Sequence, residues 1–266
     1  LNLTVENDVP IQLSGAVVTG TVYEDGLTNT NSGNQSVGNP ETGHTVTMIT
    51  GTLTSLVDVG ADETGTFSLV SPPSGLPALT SNGAAVLYSV NGDTLTAYVD
   101  VGAATGYQTS DREIFTLKVE SNGSYTFTLL DQIDHLPNTP ANSDIQTLSL
   151  NLSSAIRFTD FDGDSIMLSG GFIVTVEDDI PVLTSASITR TVDEDDIDTA
   201  WSQGTSPEDG DADGSTTEDS TGAAFVSGTL AGLVSVGADE PARFGFTSDA
   251  IAKLTALHLF SKETAL

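Results

Sequence analysis

The sequence predicts an all-β protein, an antiparallel β-sandwich repeat of the Ig-like or cadherin-like kind with one short helix. Runs in which apolar residues alternate with Thr, Ser or Lys recur at spacings of roughly 8–12 residues, which is typical of half-buried strands in sandwiches. Gly, Asn, Asp and Pro separate these runs, and no long segment of helical periodicity lies between them. With 38% hydrophobic residues, the 266-residue chain can bury a core.

Individual elements follow from the same pattern. The clearest strands are predicted at residues 45–50, 95–99, 114–119 and 125–129. The last two should form a hairpin, because the Asn122-Gly123 turn between them can adopt the positive φ angles of a tight connection. A Ser followed by apolar residues at helical spacing predicts one short helix at 248–260.

An internal repeat organises the chain. Residues 51–69 recur at 228–246, residues 3–10 at 174–181 and residues 20–27 at 190–197, which are offsets of 177, 171 and 170 residues. Three matched blocks in the same order indicate a repeating structural unit. We therefore expect three parts: 1–10 as the closing strand of a preceding unit, 11–180 as a complete β-sandwich repeat, and 181–266 as an incomplete copy. Truncation of this copy and its interruption by an insertion are both open, and we expect a missing segment or another chain to complete it.

The charge of the chain is strongly negative. Lys and Arg total 7 against 37 Asp and Glu, so the formal net charge is −30. A nucleic-acid partner is excluded because phosphate binding requires a basic surface, and no apolar run of about 18 residues predicts membrane insertion. The acidic residues cluster in short turn-like runs, and such clusters repel one another unless hard cations such as Ca²⁺ bind their oxygens.

Two short loops are candidate Ca²⁺ sites. Asp160, Asp162 and Asp164 place three carboxylates within five residues after a strand; the alternative is a tight turn in which Asp and Gly only serve backbone geometry. Asp209, Asp211 and Asp213 form the first half of an EF-hand-like loop, D-x-D-x-D-G. The twelfth position of that loop is Ser220 and not Glu, so the alternative is a solvated acidic loop.

Acidic residues at the junctions between repeats form a third candidate site. Two runs lie one strand apart at each junction, so a return of the chain could bring them together around a cation that stiffens the hinge. The alternative is a polar linker that its charge keeps soluble. The runs are Glu177, Asp178 and Asp179 beside Glu194, Asp195 and Asp196, and Glu6 and Asp8 beside Glu24 and Asp25.

Catalytic chemistry is not predicted, and we expect no enzyme activity. The chain has no Cys, which excludes disulfides, thiolate metal sites and cysteine nucleophiles. The three His residues lack metal-binding spacing, and we expect His135 to hydrogen-bond locally. Asp134 and His135 have no convincing Ser partner for a triad.

Three segments together resemble the tandem repeats of giant bacterial adhesins. They are GSYTFTLLDQIDHLP at 123–137, FTDFDGDS at 158–165 and GFIVTVEDDIPV at 171–182. These adhesins are calcium-dependent, biofilm-associated proteins exported by type I secretion and often grouped with RTX adhesins. The resemblance covers nearly the whole chain and implies a β-sandwich repeat at the cell surface that binds Ca²⁺. Two departures are the lack of a glycine-rich nonapeptide array and the early stop of the second copy.

The expected function is therefore a calcium-stabilised extracellular repeat of a large bacterial surface adhesin. Such a repeat acts as a spacer or scaffold that carries ligand-binding domains in cell adhesion and biofilm formation. Its partners are neighbouring repeats of the same polypeptide and a ligand on a host or biofilm surface. The alternative is a split domain that itself binds, or hosts an inserted module that binds, a sugar or protein receptor.

Overall fold

A computed structural model describes residues 1–4, 6–28, 37–61, 64–102, 104–135, 146–192, 225–238, 243–257, 260–261 and 264–265. The chain divides into two units. The first comprises Leu1–Val182 and Val236–Pro241, and the second comprises Leu183–Ser235 and Ala242–Leu266. The repeat expected at 11–180 lies within the first unit.

Short strands account for most of the regular structure. In chain order they are β1 Ile11–Gln12, β2 Val18–Tyr23, β3 Met48–Thr52, β4 Val57–Asp58, β5 Thr66–Leu69, β6 Thr80–Ser81, β7 Ala84–Ala85, β8 Leu87–Asn91, β9 Thr94–Val99, β10 Arg112–Val119, β11 Ser124–Leu129, β12 Thr147–Asn151, β13 Ile156–Thr159, β14 Ser165–Met167, β15 Phe172–Glu177, β16 Val182–Leu183, β17 Val234–Ser235, β18 Phe260–Ser261 and β19 Thr264–Ala265. One helix, α1 at Ala250–Thr255, lies inside the predicted range 248–260. The prediction of an all-β fold with one short helix is confirmed.

Two sheets enclose the core of the first unit. One has five antiparallel strands in the order β3-β11-β10-β9-β8, and the other has the order β12-β15-β2. Along β11 the buried side chains alternate with half-buried ones, as expected for a strand with one face on the core. Tyr125 of β11 packs edge-on against Phe172 of β15, with ring centroids 4.8 Å apart. The two inner faces therefore meet in a shared core. A third sheet, β14-β13-β5, and the two-stranded sheets β1-β4 and β6-β7 also belong to this unit.

The predicted hairpin is present. Strands β10 and β11 pair antiparallel from Phe115 opposite Leu129 to Val119 opposite Tyr125. Gly123 in the connecting turn has a φ of +86°, a left-handed conformation that residues with a side chain rarely adopt. The prediction of a hairpin with a turn at Asn122-Gly123 is therefore confirmed.

One pair of strands is parallel, which differs from the purely antiparallel prediction. Strands β2 and β15 run side by side, from Val18 opposite Phe172 to Tyr23 opposite Glu177. Most of the first unit lies between them in sequence, and alternation within a strand contains no information about so distant a neighbour. Because the strands are parallel, their carboxyl ends lie at the same edge of the sheet.

The second unit begins with local structure that repeats the first. The short 3-10 helix Thr54–Leu56 is followed by β4, and 177 residues later the 3-10 helix Ala231–Leu233 is followed by β17. The Leu13 N–H donates to the Leu56 carbonyl at 2.9 Å, and the Thr184 N–H donates to the Leu233 carbonyl at 3.0 Å. The matched sequence blocks thus form matched hydrogen bonds. No described helix is long and apolar enough to cross a bilayer.

We predict that the shared core of the two sheets supplies much of the stability. Phe127 is fully buried and packs on Phe115 with ring centroids 5.0 Å apart. Phe127→Ala should lower the free energy of unfolding by about 3–5 kcal/mol, because the cavity it leaves cannot close fully. Phe246→Ala, at a side chain that is 97% exposed, is the matched control and should change it by less than about 0.5 kcal/mol. Urea unfolding followed by circular dichroism measures both, and equal losses would contradict the assigned core.

Candidate metal centre

Five carboxylates are buried together where β2 and β15 end. We call Glu24, Asp25, Glu177, Asp178 and Asp179 the edge cluster; their exposed fractions are 0, 6, 8, 8 and 1%. Glu24 and Asp25 begin the 3-10 helix Glu24–Gly26 directly after β2, and Glu177 ends β15. The parallel register, with Tyr23 opposite Glu177, therefore brings the two acidic runs together.

The backbone closes tightly over this edge. A Cβ at Gly38 would overlap the carbonyl oxygens of Glu24 and Asp25, so only glycine fits there. The Asp178 N–H donates to the Gln146 carbonyl at 2.9 Å, which fixes the chain as it leaves β15. Both acidic runs are thus held by main-chain contacts.

Glu24, His135 and Asp178 form a group that could hold a metal ion. Each offers one ligand atom, and these atoms lie within 4.8 Å of one another. Glu24 Oε1 accepts the Ile133 N–H at 2.7 Å and lies 3.6 Å from His135 Nε2. The His135 side chain is only 4% exposed. The sequence analysis missed His135 as a ligand candidate because its partners are distant along the chain.

Two further acids of the edge cluster, Glu177 at the end of β15 and Asp179 just after it, contact polar groups. Glu177 Oε1 lies 2.9 Å from His44 Nδ1. Asp179 Oδ2 accepts two backbone N–H groups, from Asn39 and from Ala238, each at 2.8 Å. Hydrogen bonds from N–H groups favour the ionised carboxylate, so Asp179 is built to bear a negative charge.

The electrostatics of Asp25 show the effect of crowding these acids together. Burial and the nearby charge of Asp179 raise the pKa of Asp25 from 3.8 to about 6. Glu41 adds to this rise, whereas the backbone hydrogen bond and His44 oppose it. Ionisation of Asp25 therefore costs more free energy in the folded protein than in the unfolded chain.

Elsewhere the fold neutralises a buried carboxylate with arginine. Arg112 donates to Asp131 Oδ2 at 2.8 Å, and both side chains are buried. At exposed positions, Lys118 pairs with Asp93 and Glu120, and Lys253 pairs with Asp249.

The second candidate site is the loop between β13 and β14. Asp160, Asp162 and Asp164 each offer an oxygen within 4.8 Å of the others. Asp160 Oδ1 accepts the N–H groups of Gly163 at 3.0 Å and Asp164 at 2.8 Å, which curls the loop around it. Its second oxygen, Oδ2, is buried and makes no hydrogen bond within the described part of the chain. Burial raises the pKa of Asp160, and the nearby Asp162 carboxylate adds to this rise.

The two groups differ in the ions they suit. The Asp160 loop offers carboxylate oxygens, which are the ligands that Ca²⁺ prefers. The group of Glu24, His135 and Asp178 includes an imidazole nitrogen, which Zn²⁺ and other transition metals accept readily. An ion at either place would relieve repulsion among like charges.

The structure brings together some of the predicted site residues and separates others. Asp160, Asp162 and Asp164 lie together, as do Glu24, Asp25, Asp178 and Asp179. Glu24 and Asp25 were expected beside Glu6 and Asp8, but they lie against the run that follows β15, while Asp8 accepts the Ala61 N–H. Glu194, Asp195, Asp209, Asp211 and Asp213 lie outside the described residues.

Comparison with known proteins identifies one family. Residues 21–169 match the model of DUF5801, a domain of unknown function, and the match covers more than half of the 266-residue chain. It includes Glu24, Asp25, His135 and the Asp160 loop, whereas residues 177–179 lie beyond it. The search of curated proteins and the search of solved structures found no match.

We predict a pH dependence of stability that comes from Asp25. Between the ordinary value of 3.8 and the folded value of about 6, the folded protein keeps a proton that the unfolded chain has lost. The free energy of unfolding should therefore fall as the pH rises through this window and stay lower above it. Asp25→Asn should raise the melting temperature at neutral pH in chelator and have little effect at about pH 4, where Asp25 is protonated in the folded state.

Asp93→Asn is the matched control for this prediction. Asp93 is an exposed acid whose pKa is lowered by its hydrogen bond from Thr94 and by Lys118. Its replacement should not stabilise the protein at neutral pH. Equal effects of Asp25→Asn at both pH values would show that Asp25 is not held near Asp179 in the folded protein.

Proposed function

The chain belongs to the DUF5801 family, and we propose that it is a calcium-stabilised extracellular repeat of a large bacterial surface adhesin, with no enzymatic role. In this proposal it serves as a spacer or scaffold that carries ligand-binding domains away from the cell. The Asp160 loop, whose three carboxylates offer only oxygen ligands, is the observation that supports the proposal most strongly.

The energetics of the edge cluster favour a stabilising cation. Five carboxylates are almost fully removed from water at one edge of a sheet, where burial and the charge of Asp179 raise the pKa of Asp25. A divalent ion that binds only the folded state stabilises it by mass action. The unfolded chain, whose acidic runs are far apart, has no such site. Folding of the unit would then depend on the ion.

The loop at Asp160 supports calcium as the ion. Three carboxylates converge within one short loop, and the buried Oδ2 of Asp160 faces no hydrogen-bond donor of the described residues. Extracellular modules bind Ca²⁺ with dissociation constants of about 10⁻⁴–10⁻³ M, so sites of this strength fill only at millimolar Ca²⁺. A chain of this kind would stay unfolded inside the cell and fold after export.

Repetition supports the spacer role. The matched blocks of sequence and their matched hydrogen bonds indicate that similar units follow one another along the polypeptide. Asp178 and Asp179 lie between β15, the last strand of the sandwich, and β16, so an ion held there would stiffen the passage from one repeat to the next. The cell-surface location rests on the resemblance to adhesin repeats, and the absence of Cys suits a secreted chain that needs no disulfides.

We predict that Ca²⁺ raises the melting temperature of the protein. At a concentration 100 times the dissociation constant, one site contributes about 2.7 kcal/mol to the free energy of unfolding, which corresponds to roughly 5–11 °C for a domain of this size. Differential scanning calorimetry in Ca²⁺ and in chelator measures the shift, with Mg²⁺ as the control ion. Identical melting curves in chelator and in Ca²⁺ would overturn the proposal.

Variants should locate the sites. Glu24→Gln and Asp160→Asn each remove one negative charge from a different candidate site and should each reduce the Ca²⁺-induced shift. Asp93→Asn changes the net charge equally at an exposed position and should leave the shift unchanged. Isothermal titration calorimetry counts the ions lost in each variant. A full shift in both site variants would place the ions elsewhere in the chain.

A further inference from the structure

Two equivalent turns each donate a backbone hydrogen bond to an aspartate of the linker, by which we mean the matched segments 3–10 and 174–181. The turns are Val59–Ala61 and Val236–Ala238, which we call the first and second docking turns. The Ala61 N–H donates to Asp8 Oδ2 at 2.6 Å, and the Ala238 N–H donates to Asp179 Oδ2 at 2.8 Å. Asp8 and Asp179 occupy equivalent positions of the matched blocks 3–10 and 174–181. The contact between linker and turn is therefore a property of the repeat.

The surroundings of the two turns differ. Gly237 and Ala238 of the second docking turn are buried, and Ala238 is only 1% exposed, whereas Gly60 and Ala61 are both exposed. All of these residues cluster with the first unit. The same three-residue turn thus lies on the surface at one place and in the interior at the other.

Asn39 explains the difference. Its N–H donates to Asp179 Oδ2 at 2.8 Å, and its side-chain amide donates to the Ile180 carbonyl at 3.0 Å. A Cβ at Gly237 would lie 2.8 Å from Asn39 Nδ2 and 2.6 Å from Asp179 Oδ2, so the second docking turn packs directly on both residues. The complete repeat therefore covers the docking turn of the copy that follows it.

We propose that the first docking turn, together with Asp8, is a docking surface for the end of another copy of this repeat, lying before it in the polypeptide. That copy would present its counterpart of Asn39 to Asp8 and bury Gly60 and Ala61. The inference rests on the tandem arrangement proposed above, and it adds the surface by which one repeat holds the next.

Apolar groups beside the first docking turn suit a folded protein partner. A cavity of about 500 Å³ adjoins the turn, and its lining includes Leu13, Val57, Val59 and Phe67. Val9 and Ile11, on either side of the linker proline, are 50% and 54% exposed. Val57 and Phe67 are already buried, so contact with a preceding copy would remove mainly the exposed surface of Val9 and Ile11 from water, which is favourable.

A tandem chain tests the docking surface directly. Residues 1–181 are placed before residue 11 of the chain, so that a complete repeat precedes the first docking turn. Because the protein contains no Cys, Ala61→Cys in the downstream copy gives a single thiol. This thiol should react with a maleimide at least about tenfold more slowly in the tandem chain than in the single chain, since access limits the reaction.

Three further measurements control the test. Asn91→Cys, at the exposed end of β8, should react equally fast in both chains, and Ala238→Cys should react slowly in the single chain. Asn39→Ala in the upstream copy should restore much of the fast reaction at Cys in position 61. Hydrogen exchange of the Ala61 amide gives the same comparison without any substitution.

Equal rates at position 61 in the single and tandem chains, by thiol reaction or by hydrogen exchange, would overturn the proposal. So would a fast reaction of Ala238→Cys in the single chain, because the second docking turn would then not be covered. Both measurements compare the single and tandem chains at the same Ca²⁺ concentration, so the comparison does not depend on how much calcium stabilises either chain. A failure of docking is thus distinguishable from a failure of calcium to stabilise the repeat.

Discussion

The parallel pairing of β2 with β15 is the constraint on which the rest of the structure depends. It brings the acidic runs at the carboxyl ends of the two strands to one edge of one sheet, although more than 150 residues separate Glu24 from Asp178 in sequence. Five carboxylates are then buried close together, and burial and the charge of Asp179 raise the pKa of Asp25. The sandwich core must supply enough hydrophobic stabilisation to hold the acids there, or a cation must offset their charge.

Local signals in the sequence predicted the local structure well. The Asn122-Gly123 turn fixed the β10–β11 hairpin, because the dipeptide specifies a positive φ and the alternation on either side specifies which face is buried. The three aspartates at 160–164 were expected to converge, since their spacing within one loop leaves them few other arrangements. The helix at Ala250–Thr255 followed from its periodicity but is shorter than expected, because helix ends depend on tertiary contacts.

Non-local contacts were beyond the reach of the same reasoning. His135 joins Glu24 and Asp178 only because three distant segments meet at one edge of the sheet. The acids were grouped along the chain, Glu24 with Glu6 and Asp8, whereas the fold groups them across the sheet. The matched blocks did contain a usable signal, because equivalent acids of the two blocks make equivalent contacts. Asp8 of block 3–10 accepts a hydrogen bond from the first docking turn, and Asp179 of block 174–181 accepts one from the second.

Asp179 connects the two proposals, because it belongs to both arrangements. Its charge raises the pKa of Asp25, and its Oδ2 holds the backbone of Asn39 and of the second docking turn. Asp178, a candidate metal ligand, is its neighbour in the chain, so an ion that fixes Asp178 also restricts the backbone of Asp179. Ion binding and contact between repeats would then favour the same conformation of residues 177–180, and each would make the other more favourable. An array of such repeats would stiffen cooperatively along its length, whereas independent binding at each junction would give separate, uncoupled hinges.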